Sequence, residues 1–179
     1  MVVDLPVVSA AYEARRAHRE ASQLADIWAL LDRVCDPEIP VLSLWDLGVL
    51  NDIEQKADQL IVTITPTYSG CPAMQTMRED IEAALRQSGI ESFEVRETLS
   101  PAWSSDWISP EGRGKLTAYG IAAPKSCDAC QGAALDSDVH CPHCGSADTR
   151  MTSEFGSTAC KALFQCQSCQ EPFDYFKPI

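Results

Sequence analysis

Three Cys-x-x-Cys pairs, Cys127/Cys130, Cys141/Cys144 and Cys166/Cys169, constrain this chain more than any other feature. Two thiolates three residues apart on a tight turn can point at one ion, and two such knuckles complete a tetrahedral four-sulfur site. The better-formed knuckle is Cys141-Pro142-His143-Cys144-Gly145, whose glycine permits the positive φ that turns backbone N–H groups toward sulfur. Its expected partner is Cys166-Gln167-Ser168-Cys169, after a spacer of 21 residues that suits a short β-hairpin. This is a zinc β-ribbon pattern, with Cys141, Cys144, Cys166 and Cys169 as metal ligands. Structural Zn²⁺ is the expected ion, with rubredoxin-like iron as the alternative, because tetrahedral sulfur suits both. Cys127 and Cys130 have two readings: a second metal site with Cys160, His140 or His143, or pairing with Cys141 and Cys144 instead. Cys160, six residues before Cys166, is expected on the second ribbon strand near the metal, as a packed thiol or part of that second site. A disulfide framework is disfavoured: Met1–Val8 is short, carries Asp4 and Pro6, and lacks the basic start of a secretory signal.

No apolar run approaches the roughly 20 residues that span a bilayer, so the expectation is a cytoplasmic protein with reduced thiols and no membrane contact. The 179 residues carry a net charge of −12, of which residues 24–123 hold −9 and residues 124–179 hold −3. Zinc ribbons that bind nucleic acid need basic clusters to neutralise phosphate, and this chain has none. Protein partners fit the charge better.

Along the chain, residues 1–23 read as a helical or flexible N-terminal segment with few large apolar residues, one that frays or extends the next helix. Leu24, Ile27, Trp28, Leu31 and Val34 predict an amphipathic helix that stops at Asp36-Pro37-Glu38-Ile39-Pro40. Val49–Glu54 and Gln59–Thr65 predict two strands, and Met74, Met77, Ile81 and Leu85 a helix with Pro72 at its first position. Phe93, Val95 and Leu99 suggest a third strand, and Ser109-Pro110-Glu111 opens a last helix ending near Gly120. Ile121–Lys125 reads as a linker. The predicted fold is α+β: a small three- or four-stranded sheet packed with helices over residues 24–123, then a zinc β-ribbon over residues 124–179. The ribbon is expected to lack room for a hydrophobic core, leaving metal binding to supply about 10 kcal/mol of its folding energy.

A second thiol stands apart. Cys71, in Pro66-Thr67-Tyr68-Ser69-Gly70-Cys71-Pro72, falls at or just before a helix start, where the dipole and free N–H groups favour a thiolate. It is either a reactive or cluster-binding thiol or a small buried residue at a helix cap. A thiol hydrolase needs a base, yet His18, His140 and His143 all lie outside residues 24–123. Glu-x-x-His, Walker A and the dinucleotide fingerprint are missing, and Gly112-Arg113-Gly114-Lys115 reads as a glycine-containing loop. A non-catalytic chain is expected. Asp36, Glu38 and Asp46 are read as turn chemistry ahead of metal ligation, and Cys35 as a packed thiol. Trp28, Trp45, Trp103 and Trp107 are read as core or rim residues, with a partner-binding patch as the sharper alternative.

Asp36-Pro37-Glu38-Ile39-Pro40, Asp46-Leu47-Gly48, Thr65-Pro66-Thr67-Tyr68-Ser69-Gly70-Cys71-Pro72 and Pro101-Ala102-Trp103 together resemble the SufT-like iron–sulfur assembly domain. Phe155-Gly156-Ser157-Thr158-Ala159-Cys160-Lys161-Ala162-Leu163 and Glu171-Pro172-Phe173-Asp174-Tyr175-Phe176-Lys177, joined to that domain, resemble the PaaD family of the bacterial phenylacetyl-CoA epoxidase system. The resemblance runs from about Leu24 to Ile179. It implies an accessory subunit beside a di-iron oxygenase and an iron–sulfur flavoprotein reductase; a homodimer is a separate expectation, which the resemblance does not supply. It also implies that Cys71 contacts a transient iron–sulfur cluster during maturation or delivery of a partner's metal centre. A purely structural zinc-ribbon adaptor that holds the oxygenase subunits together is the rival expectation.

Overall fold

The computed structural model describes residues 8–124 and 139–179. Packing divides the chain into two units, Met1–Gly112 and Arg113–Ile179. The first begins with α1 (Ala10–Ala21), opened by the Ser9 hydroxyl, which accepts the Tyr12 N–H at 3.1 Å, and ended by extended Ser22. The segment expected to fray or merge with the next helix is therefore a helix of its own. What holds it is polar and aromatic rather than aliphatic. Arg15 donates to the carbonyls of Leu50 (2.9 Å) and Trp107 (2.6 Å), and its guanidinium lies 4.3 Å from the Trp45 ring centre. Arg19 sits 4.6 Å from the same indole and donates to both carboxylate oxygens of Asp32.

Helix α2 (Ala25–Leu31) buries Trp28 and Leu31, and Trp28 meets Trp45 edge-on with centroids 5.3 Å apart. A one-turn helix absent from the sequence reading, α3 (Leu44–Leu47), follows between a Ser43 side-chain cap and Gly48 at φ +83°. A Cβ on Gly48 would stand 2.7 Å from the Trp107 Cβ, so glycine there serves both the backbone and close packing. With Trp103 donating its indole N–H to Leu47 at 3.1 Å, the tryptophans belong to the core and its margin.

The predicted strands form β1 (Leu50–Lys56) and β2 (Gln59–Ile64), an antiparallel hairpin with a bulge between Leu50 and Asp52. Helix α4 (Met74–Gln87) then crosses over to β3 (Phe93–Glu97), which pairs in parallel with β2 to give the order β1-β2-β3. Leu60, Ile61 and Val62 are all buried, as expected of a central strand covered on both faces. All four residues of the predicted stripe, Met74, Met77, Ile81 and Leu85, are buried on α4. Two boundaries differ. Pro72 precedes the helix by a turn, and Leu99 lies beyond β3 with 60% of its surface exposed. Helix α5 (Pro110–Ala118) has the predicted cap, Gly112 N–H to Ser109 Oγ at 2.8 Å. The Gly112–Lys115 run lies in this helix rather than in a loop, and the division between the units falls within it.

The second unit holds β4 (Ile121–Ala122), β5 (Thr149–Ser153), β6 (Lys161–Cys166) and β7 (Pro172–Phe176), in the order β4-β7-β6-β5. The expected hairpin is β5–β6, enlarged by β7 antiparallel to β6 and β4 parallel to β7. Ile121 and Ala122 are thus sheet rather than linker: both are buried, and they pair with Asp174 and Tyr175. The expectation of a coreless ribbon is also corrected. Phe164 stacks on Phe173 at 5.8 Å and meets Tyr175 edge-on at 5.4 Å, with Val139 and Ala162 packed alongside. Among the described residues, no helix is long and apolar enough to cross a membrane. The chain is an α+β protein with two small sheets.

Candidate metal centre and thiol site

Cys141, Cys144, Cys166 and Cys169 converge so that their sulfurs all lie within 4.8 Å of one another. The Cys141–Cys169 and Cys144–Cys166 separations are 3.7 and 3.6 Å. A tetrahedral ion with metal–sulfur bonds of about 2.3 Å would set its ligands about 3.8 Å apart. The donor set therefore fits a zinc-sized cation. Backbone geometry builds each half. In the first knuckle, Gly145 N–H donates to Cys141 O at 2.8 Å with Gly145 at φ +76°, and Cys141 N–H donates to Ser146 O at 2.9 Å. The second, whose loop carries no glycine, takes the left-handed conformation at Gln170 (φ +65°), while Cys169 N–H donates to Cys166 Sγ at 3.4 Å. The Ser146 and Ser168 hydroxyls, 2.7 Å apart, join the two knuckles.

Four thiols this close cannot all ionise without a cation between them. The Cys169 N–H holds Cys166 down to about 6. Cys169 itself accepts from the Glu171 N–H, but burial and the neighbouring sulfurs push it up to about 12. A divalent ion reverses that penalty by stabilising every thiolate at once.

Cys160 is not a member of this group. It is buried just before β6, with Thr158 Oγ1 3.1 Å from its sulfur, whereas Cys166 ends that strand. Six residues of extended chain place the two roughly 20 Å apart, so the expectation that Cys160 sits near the metal is corrected. Cys127 and Cys130 lie outside the described residues. His140 and His143 are exposed and stand outside the four-thiol group.

Cys71 lies between β2 and α4, half-buried, with the Ala73 N–H and the Tyr68 hydroxyl donating to its sulfur. The sequence reading expected an easily formed thiolate. The structure gives the opposite direction: burial raises the thiol first, and the Glu38 and Asp36 carboxylates raise it further, outweighing both donors. The helix begins at Met74, three residues past the cysteine, and its N-cap N–H at Ala73 reaches the sulfur without offsetting the burial. Asp36 is held by its own loop, accepting the Glu38 and Ile39 N–H groups at 2.8 Å each. Asp46 accepts the Ser109 hydroxyl at 2.6 Å. Both carboxylates therefore serve turn and core chemistry. Cys35 is half-buried, its sulfur 3.8 Å from Arg33 O.

A helix-backed three-stranded domain with a cysteine on its β2–α4 loop precedes a four-sulfur ribbon, and each part has its own family match. Residues 24–96 match the family described as iron-sulfur cluster assembly protein, and residues 125–177 match the PaaD zinc beta ribbon domain. The chain is 47% identical over 159 residues to a subunit of the "Putative 1,2-phenylacetyl-CoA epoxidase" of Escherichia coli K12, covering 88% of this chain and 94% of that one. It belongs to the PaaD family of phenylacetyl-CoA epoxidase subunits. It is also 35% identical over 93 residues to an "Fe-S protein maturation auxiliary factor" of Porphyromonas gingivalis W83, spanning 51% of this chain and 88% of that protein. A Bacillus anthracis domain of unknown function aligns with a TM-score of 0.48 at 23% identity, over 58% of this chain and 95% of that one.

Proposed function

We propose that this chain is an accessory, non-catalytic subunit of a cytoplasmic phenylacetyl-CoA epoxidase system, and that it helps mature or deliver an iron–sulfur or other metal centre to a partner protein. Residues 24–123 carry out that task through Cys71, and residues 124–179 form the docking module, with Zn²⁺ held by Cys141, Cys144, Cys166 and Cys169. The observation that carries this reading is the setting of Cys71. Its sulfur is partly accessible and receives two hydrogen bonds, yet among the described residues it belongs to no group of three or more metal-ligating side chains. One such ligand suits a cluster passing through better than one that stays, because a resident cluster takes about four protein ligands. Bound zinc would close the ribbon and fix the knuckles, a structural rather than catalytic role, since all four positions are filled by protein sulfur. Cys127 and Cys130 remain candidates for a further metal site.

The rival, a purely structural adaptor, draws support from the raised Cys71 thiol, which is poorly nucleophilic at neutral pH. Cys71→Ser in a phenylacetate-degrading host separates the two. The maturation role predicts a partner reductase or oxygenase purified short of iron, with the complex still assembled. Full iron content in that strain would leave the adaptor reading.

A further inference from the structure

Two cavities between α2 and α4 join into one groove. The first, of about 650 Å³, has Leu30, Val34 and Pro37 on one wall and Ala83 and Ala84 on the other. The second, of about 510 Å³, continues past Ile27 and Ile90 and shares Leu30, Arg33 and Ser88 with the first. Each wall carries residues at helical spacing: Ile27 and Leu30 on α2, with Val34 in the loop beyond it, and Asp80, Ala83, Ala84 and Gln87 on α4. The alanine pair keeps the flank of α4 low where longer side chains would fill the groove. Its margins carry exposed acids on both helices, Asp26 on α2 and Asp80 on α4, with Arg33 as the basic lining residue. Among the described residues, Asp26 and Asp80 have no ion-pair partner.

We propose that this groove docks an amphipathic helix of a partner protein, apolar on one face and bearing Lys or Arg along its margins. The helical spacing of both walls supplies the shape argument, and the unpaired carboxylates on opposite rims supply the sign. A second copy of this chain is disfavoured as the occupant. Its cationic helix, α1, already commits Arg15 and Arg19 to its own indoles and carbonyls. The inference goes beyond the maturation reading and does not use Cys71, so each can fail without the other.

Half-buried Cys35 lines the groove and serves as its reporter. The probe is a synthetic leucine–lysine peptide with leucines at helical i, i+3, i+4, i+7 spacing, added to the full-length protein. A leucine–glutamate peptide of the same pattern is the control. The lysine peptide is expected to bind and to slow alkylation of Cys35. Asp26→Lys and Asp80→Lys should each weaken binding by about tenfold, whereas Asp58→Lys in the β1–β2 turn, with the same change in net charge, should cost less than about twofold. Cys71→Ser should bind as the wild type does. Equal binding of the glutamate peptide, an Asp58→Lys effect as large as the rim variants, or unaltered Cys35 labelling would each overturn the proposal.

Discussion

At the scale of single residues, Cys71 and Arg15 show a local rule meeting its surroundings. A cysteine ahead of a helix start reads as acidic, and the Ala73 N–H and Tyr68 hydroxyl do favour its thiolate, but burial beside Glu38 and Asp36 wins. Nothing in the spacing from Asp36 to Cys71 announces that encounter, because it is made by folding. Iodoacetamide is therefore expected to alkylate Cys71 more slowly than free cysteine at neutral pH, and Glu38→Gln should speed the reaction; mass spectrometry of the labelled peptide reads both. A raised thiol means that this group's contribution to stability is intact below the ordinary cysteine range and lost as pH rises through the higher folded value. Arg15 is the converse case, a charged side chain that the fold buries. Burial lowers it to about 10, which leaves it charged at neutral pH while it satisfies two main-chain carbonyls. Arg15→Met should cost about 2–4 kcal/mol, because those carbonyls lose a charged donor. Urea denaturation followed by tryptophan fluorescence would measure it.

Secondary-structure elements were legible where hydrophobic spacing alone determines them. The stripe from Met74 to Leu85, the β-branched run of β2 and the Ser109 cap all follow from local sequence, and the structure contains them. Helices α1 and α3 were not legible as built. The first is anchored by arginine on tryptophan rather than by an apolar stripe, and the second is a single turn signalled only by Ser43 and Gly48. The two metal knuckles differ in an instructive way, since the left-handed residue is glycine in one and Gln170 in the other. Gly145→Ala should destabilise the ribbon by about 1 kcal/mol through backbone strain. Gln170→Gly should raise its thermal midpoint, because the same strain is relieved. Differential scanning calorimetry of the metal-loaded protein distinguishes the two directions.

For the molecule as a whole, cysteine spacing pointed to Cys141, Cys144, Cys166 and Cys169, whose sulfurs the fold brings within 4.8 Å of one another. The ribbon's aromatic core was not legible: Phe164, Phe173 and Tyr175 meet across strands whose pairing the local pattern does not specify. Metal removal is expected to loosen the ribbon while leaving the first unit folded. A strong chelator should thus abolish protection of amides in β5–β7 but not in β1–β3 during hydrogen exchange. Acid should act likewise. Protons compete with the ion for the four thiolates, so falling pH favours the metal-free ribbon. Zinc release, followed with a chromogenic chelator, should increase steadily as pH falls.

The two-residue strand β4 sets where this module can be cut. Inherited sequence resemblance for the ribbon starts at residue 125, but the sheet it belongs to recruits Ile121 and Ala122 from upstream. A gene fusion cut at the recognisable border would leave β7 with a bare flank, open to pairing with any stray strand. Moving this module intact would require carrying along a stretch that lies outside its recognisable border.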